Sequence, residues 1–326
     1  MKTLICQFMV MLTVGCGRAQ TPSNPPVSPS RPPWSAIVNV ADESGQPIGN
    51  ADVEVSFYVP PPRGQTVAGD SFHGPTDENG IFRASHADTR SATLGFKITK
   101  PGYYTSYISH TLYQPGQFDE KTVKANRNST FTVVLKKIGK PIAMYAKQVN
   151  LGMPVFGKPA GFDLMTGDWV APYGRGDKAD IIFTARLEKR AENDSDYTLT
   201  VSFPNPSDGI QEFNASPVRL GNGSELRSAQ EAPVNDYQPQ WEQFKTRRPG
   251  QPLNSNWDEN RNFYFQVRTV LDEKGNIKSA LYGKIYGDFM YFRYYLNPTT
   301  NSRNVEFDPK QNLLKGLKPL EQVNTP

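Results

Sequence analysis

The feature that most constrains this chain is a succession of short runs with strand period, each closed by a Gly, Pro, Asn or Asp turn. "ESGQPIGNADVEVSF" (43–57) opens on a turn and continues as a strand in which Val53, Val55 and Phe57 share one face. "TDENGIFRAS" (76–85) repeats the device behind an Asp-Glu-Asn-Gly turn. "WSAIVNV", "ATLGFKITKPGYY" and "STFTVVLKK" add further runs, and no helical period separates them. This pattern predicts an all-β fold that begins with a β-sandwich. Composition agrees, because 15 Tyr and 18 Phe suit strands while 26 Gly and 28 Pro supply turns.

The order of "GQPIGNADVEV" from Gly45, "TDENGIF" from Thr76, "FKITKPGYY" from Phe96 and "FTVVLKK" from Phe131 resembles the carboxypeptidase regulatory-like module. That family folds as a transthyretin-like, seven-stranded sandwich. The resemblance spans residues 34–138, and the insertion "VPPPRGQTVAGDSFHGP" is longer than the family's pattern. It implies a non-catalytic role, since in that family the module accompanies enzymes, transporters and surface proteins without performing their reactions.

Residues 139–310 read as a second antiparallel β domain with long loops. "IAMYAKQVNL" is a bridging strand. "ADIIFTARLEKR" and "DYTLTVSF" form a hairpin across "AENDS", "RNFYFQVRTVLD" and "NIKSALYGKIYG" another around "DEKGN", and "FMYFRYYLNP" a further strand. Residues 215–260 are polar, Pro-rich and weakly periodic, and read as long loops or a partly disordered insertion. In the tail, 311–326, "NLLKGLKPLEQ" is the one candidate for a short helix.

The first 19 residues, "MKTLICQFMVMLTVGCGRA", carry Lys2, an apolar stretch from Leu4 to Val14, and small residues after it. They read as a secretory signal peptide with a mature start at Gln20. The alternative is a lipobox in "LTVGC", with Cys16 as the lipidated residue, although the Leu stands four residues before the Cys instead of three. Residues 20–33, "QTPSNPPVSPSRPP", read as a Pro/Ser linker. Both cysteines, Cys6 and Cys16, lie in the leader, so the mature chain has no thiol for a disulfide, a metal or a nucleophile. The formal charge of +4 includes Lys2 and Arg18, so removing the leader lowers it by two, to +2. That is too weak and too dispersed for nucleic acid. No window of about eighteen apolar residues follows the leader, so no spanning helix is expected. The expected location is secreted, periplasmic or cell-surface, or lipid-anchored if Cys16 is modified.

The chemistry of catalysis has little anchor. A metallocarboxypeptidase needs His-x-x-Glu, and none of His73, His86 or His110 has a Glu three residues on. The three histidines read as polar residues on or beside loops, so no metal site is expected. There is no Gly-x-Ser-x-Gly elbow. The acidic pairs Asp119/Glu120, Asp258/Glu259 and Asp272/Glu273 read as solvated turns. "GRGDKA" (174–179) fits Gly-x-Gly-x-x-Ala, but a strand follows it where a dinucleotide site needs a helix. Asp168, Asp177 and Asp180 cluster without the spacing of a calcium loop. No cofactor is expected.

Binding has a better candidate. "DYQPQWEQF" and "NSNW" place Tyr237, Trp241, Phe244 and Trp257 in polar sequence. Tyr237, Trp241 and Trp257 either stack on sugars or pin a long loop to the sheet, and the sequence leaves both readings open. The expected function is therefore a non-catalytic, exported structural or ligand-binding protein of the cell envelope or extracellular space. Its partner would be a glycan or another envelope protein. The alternative is a secreted carbohydrate-active hydrolase whose carboxylates converge only in three dimensions.

Overall fold

The computed structural model describes residues 34–58, 69–86, 93–112, 119–215, 222–258 and 260–326. The leader, Cys16, the Pro/Ser linker and much of the long insertion before "TDENG" lie outside the described residues.

The first part comprises β1 (Trp34–Asp42), β2 (Asp52–Tyr58), β3 (Gly69–Pro75), β4 (Ile81–His86), β5 (Thr93–Thr99), β6 (Ser106–Thr111), α1 (Glu120–Asn126) and β7 (Asn128–Leu135). One sheet runs β4-β1-β7, with β1 parallel to β7. The facing sheet runs β6-β5-β2-β3. The alternation read in the sequence becomes the core: Val38 and Val40 of β1 meet Val53 and Val55 of β2 and Phe96 and Ile98 of β5, all buried. Each such side chain contributes about 1.5–3 kcal/mol on leaving water.

The two turn motifs are adjacent in space, the Asn50 amide donating to Thr76 O at 2.9 Å, and in each an Asp side chain accepts the backbone amides of its own turn. Asp42 Oδ1 accepts the Ser44 and Gln46 amides at 2.9 Å each, and Asp77 Oδ1 accepts those of Asn79 at 3.0 Å and Ile81 at 2.8 Å. Thr76 joins them, donating its hydroxyl to Ile48 O at 2.8 Å and accepting the Ala51 amide at 2.9 Å. Gly80, at φ +72°, lies so close to the β1 backbone that a Cβ there would sit 2.3 Å from Val40 O. Helix α1 was not legible: seven residues give too little period, and it is held by its Asp119 cap, which accepts the Thr122 amide at 2.7 Å.

The second part comprises β8 (Ile142–Asn150), β9 (Ala160–Asp163), β10 (Asp168–Trp169), β11 (Ile181–Ala191), β12 (Asp194–Ser202), β13 (Gly209–Asn214), β14 (Gly223–Ser224), β15 (Gln240–Arg247), β16 (Asn254–Ser255), β17 (Arg261–Leu271), β18 (Ile277–Tyr286), β19 (Tyr291–Leu296) and β20 (Phe307–Asn312). The chain is all-β apart from α1 and one 3-10 turn among the described residues. Sheet β10-β9-β11-β12-β15-β16 packs on sheet β13-β17-β18-β19-β8-β20. Their shared core joins Phe162, Phe183, Leu199 and Val201 to Phe263, Phe265, Ile285 and Phe292. Both expected hairpins form, β11/β12 and β17/β18.

Three sequence expectations need correction. Residues 215–260 are not simply loops, because β15 pairs with β12 along eight residues. Its inner face carries Trp241, Gln243 and Lys245, and its other face carries Phe244, so the hydrophobic alternation is blurred. The stretch "NLLKGLKPLEQ" forms only a 3-10 turn, Pro319–Glu321; Gly316, at φ +70°, breaks any longer helix. The histidines sit on strands: His73 on β3, His86 on β4 and His110 on β6.

The two parts share structure. β14 adds to the edge of β6, Lys136 Nζ donates to Ser228 O at 2.9 Å, and Gln230 Nε2 donates to Lys137 O at 2.6 Å. Glu306, buried, accepts the Tyr104 hydroxyl at 2.6 Å and the amides of Gly139 and Lys140 at 2.7 and 2.6 Å. A carboxylate with three donors is well solvated by protein, which is how it tolerates burial at this junction.

Candidate functional site

The three aromatic residues singled out in the sequence do not come together. Tyr237 is half-buried against the outer face of the β17-β18 pair, its ring 6.3 Å from that of Tyr282 and its hydroxyl donating to Pro233 O at 2.9 Å. Burial raises its phenol pKa well above the ordinary value. Trp241 packs on the main core, its ring 5.0 Å from Phe263 and 5.4 Å from Phe289. Its Nε1 donates to Glu212 at 3.3 Å, and the Arg261 guanidinium lies 5.3 Å from its ring centre. Both are packing residues. Trp241→Ala is expected to lower stability by about 2 kcal/mol, less than for a fully buried ring because this one is only half-buried. Urea unfolding of the variant measures it, and a change below about 0.5 kcal/mol would contradict the packing assignment.

Trp257 is different. It is 53% exposed, yet its Nε1 donates to the Asp288 carboxylate. Asp288 is itself fixed, since Oδ1 accepts the amides of Met290 at 2.9 Å and Tyr291 at 3.1 Å. The indole is thus held by its edge with much of its surface in water. A ring ordered in advance loses little entropy when a ligand stacks on it.

This ring belongs to a groove of about 380 Å³ bordered by β12, β15 and the segments flanking β16 on one side and by the β18–β19 turn on the other. The inner-face row that begins with Val201 and Leu199 in the core continues to Tyr197, which pairs with Lys245 of β15. Trp257 and Leu253 come from the segments flanking β16, and Asp288 and Met290 from the β18–β19 turn. Tyr197 donates its hydroxyl to Met290 Sδ at 3.2 Å, and burial raises its pKa. The lining comprises three aromatic residues, Tyr197, Phe244 and Trp257, and two flexible apolar side chains, with Gln243, Ser255 and Lys245 as polar groups beside Asp288. Leu253, Met290 and Trp257 are all exposed, so the groove presents apolar surface to solvent. Sequence reasoning missed Tyr197, Leu253 and Met290. The signal available was Tyr197 at the tip end of a hairpin, but only the β12–β15 register brings it beside Trp257.

Asp119, Asp168, Asp180, Asp258 and Asp272 among the acidic candidates have structural partners, as does Asp163, which the sequence reading did not single out. Asp163 accepts the amides of Met165, Thr166, Asp177 and Lys178, and the Thr166 hydroxyl. Burial pushes its carboxyl up, but the hydrogen bonds prevail and its pKa lies below the ordinary value. Asp168 ion-pairs with Arg175 at 3.3 Å, and Asp180 is bound by Arg268. Asp119 caps α1, Asp258 Oδ1 accepts the Asn260 amide at 2.9 Å, and Asp272 Oδ1 accepts the amides of Lys274 and Asn276 in its turn. Among the described residues no three His, Cys, Asp or Glu side chains are grouped to hold a metal ion. Among the described residues no helix is long and apolar enough to cross a membrane.

No family model matches the chain, and no curated protein matches it in sequence. Among solved structures it is similar to a catechol 1,2-dioxygenase from an Acinetobacter species, at 14% identity and a TM-score of 0.24, over 36% of this chain and 56% of that one. The match therefore spans little more than half of that enzyme's length. A putative carbohydrate binding protein from Bacteroides uniformis is similar at 11% identity and a TM-score of 0.18, over 82% of this chain and 98% of that one. The shaft pilin SpaA from Lactobacillus rhamnosus is similar at 11% identity and a TM-score of 0.21, over 88% and 100%. Likeness this low leaves the functional reading to the residues of the groove.

Proposed function

We propose that this is a non-catalytic, exported β protein that binds carbohydrate in the Trp257 groove. The observation that carries the reading is the edge-anchored, half-exposed indole beside Tyr197, a flat apolar platform with hydrogen-bonding groups around it. Sugars present just such a mixture, an apolar ring face edged by hydroxyls. Among the described residues lining the groove the carboxylate is Asp288, and it is engaged by Trp257. A glycosidase pair would need a second, free one, which favours binding over the hydrolase alternative. The N-terminal sandwich of three and four strands supports its assignment as a carboxypeptidase regulatory-like module, a carrier for the binding part. The leader reading supports export, with lipid attachment at Cys16 as the alternative.

The test is Trp257→Ala in the full chain, followed by electrophoresis through gels containing soluble polysaccharides. Retardation should weaken by about tenfold or more, equivalent to about 1.4 kcal/mol. The melting temperature should stay within about 2 °C, because the ring is exposed. Unchanged retardation in the variant, or no retardation of the parent by any glycan, would refute the assignment.

A further inference from the structure

The end of the sheet that carries the groove sorts its charges by face. The register of β11, β12 and β15 places Leu187, Tyr197 and Lys245 in one row, and Lys189, Ser195 and Arg247 in the next row outward. Tyr197 and Lys245 line the groove, so both rows belong to its face, since alternate strand positions share a side. On the opposite side the charges cancel: Arg190 ion-pairs with Asp194 at 2.9 Å and with Asp196, and Arg248 pairs with Asp196 at 2.9 Å.

The groove side has no such balance. Lys189, Lys245 and Arg247 are exposed, and none has a side-chain partner among the described residues. The neighbouring acids are engaged: Asp288 holds Trp257 and two backbone amides, and Asp258 accepts the Asn260 amide. Adjacent strands lie about 4.8 Å apart and alternate residues about 7 Å apart, so the three cations form a short ladder running outward from the aromatic platform. Lys245 and Arg247, one row apart on β15, sit within about one Debye length of each other at physiological salt, and Lys189 stands two strands away, about 10 Å from Arg247, so an anionic chain laid along the row relieves their mutual repulsion.

We infer that the groove takes a polyanionic sugar chain, its rings stacked on Trp257 and Tyr197 and its carboxylates or sulfates met by Lys245, Arg247 and Lys189. This rests on the glycan-binding reading above and specifies the class of glycan. The cations contribute most to encounter and to selection among glycans, and the rings to retention.

The experiment is affinity electrophoresis of the full chain in four matched gels: dextran, dextran sulfate, polygalacturonate and polyglutamate. A sulfated or uronate-bearing sugar should retard the protein more than dextran, and added salt should erase the difference. The response to dextran sulfate against polygalacturonate tells which anion is preferred. In the double variant Lys189→Gln, Arg247→Gln, which leaves every groove-lining residue in place, the anionic retardation should fall roughly tenfold at low salt, with an unchanged melting temperature. Dextran retardation should be unaffected, whereas Trp257→Ala should weaken both. Equal retardation by dextran and the anionic glycans, or an unaltered double variant, would overturn the anionic preference and leave the glycan site standing. Retardation by polyglutamate as strong as by the anionic sugars would also overturn it, showing a charge patch with no sugar selection. No retardation by any sugar would remove both this inference and the parent reading.

Discussion

Asp180→Ala is expected to destabilise the protein by about 4 kcal/mol, the range for a buried ion pair that loses one partner. Asp180 is fully buried, and Arg268 reaches it through two bonds, Nε to Oδ1 at 2.6 Å and Nη2 to Oδ2 at 3.0 Å. The same carboxylate accepts the Leu164 amide at 2.9 Å, which would also be orphaned. Arg268 is directed there by a bulge in β17, where its φ is +56° and the register to β18 shifts. Asp208 holds the bulge by accepting the amides of Arg268 at 3.0 Å and Thr269 at 2.8 Å. The natural control is Arg175→Ala, which breaks an exposed pair with Asp168 and should change stability by less than about 0.5 kcal/mol. Urea unfolding of both variants decides the matter. Equal costs would show that the buried Asp180–Arg268 pair contributes no more to stability than the exposed one.

Lys284→Met should move stability the other way, raising it by about 3 kcal/mol near neutral pH. Lys284 is fully buried, its Nζ 3.2 Å from Ser228 Oγ and 4.8 Å from the ring centres of Tyr286 and Tyr295. Burial drives its amine well below the ordinary value of 10.5, and the negative charge of Glu306 offsets only part of this. Between that lowered value and 10.5 the unfolded chain binds a proton that the folded chain does not. Stability is therefore greatest above 10.5, falls as the pH is lowered through this window, and levels off below the folded value. Methionine keeps the volume, suits the aromatic rings and removes the proton from the balance. Ser228 Oγ still accepts the Tyr286 hydroxyl at 3.0 Å. Melting temperatures from pH 6 to 11 should show a flatter profile for the variant, with the two proteins converging at the alkaline end. A variant less stable than the parent at every pH would show that the amine is charged and held by its surroundings.

Elements whose signal is local were legible from the sequence. Hairpins β11/β12 and β17/β18 were read from alternation around "AENDS" and "DEKGN", because two adjacent strands and their turn suffice to specify pairing. β15 was not, since its inner face begins with Trp241 and continues with polar Gln243 and Lys245, residues whose meaning depends on the sheet they face.

By itself the sequence determined the all-β class, the turns of the first sandwich and the two long hairpins, because period and turn chemistry act within about ten residues. It also determined that the aromatic residues of 237–257 stood in polar surroundings, without saying which were wet. Tertiary structure alone decided that Trp241 lies against Phe263 and Phe289 while Trp257 stands half in water on Asp288. It alone put Tyr197 beside Trp257, sent Arg268 to Asp180 through a bulge, and buried Lys284. Each of these depends on which distant segments share a sheet face, a choice made by non-local pairing that no local pattern encodes.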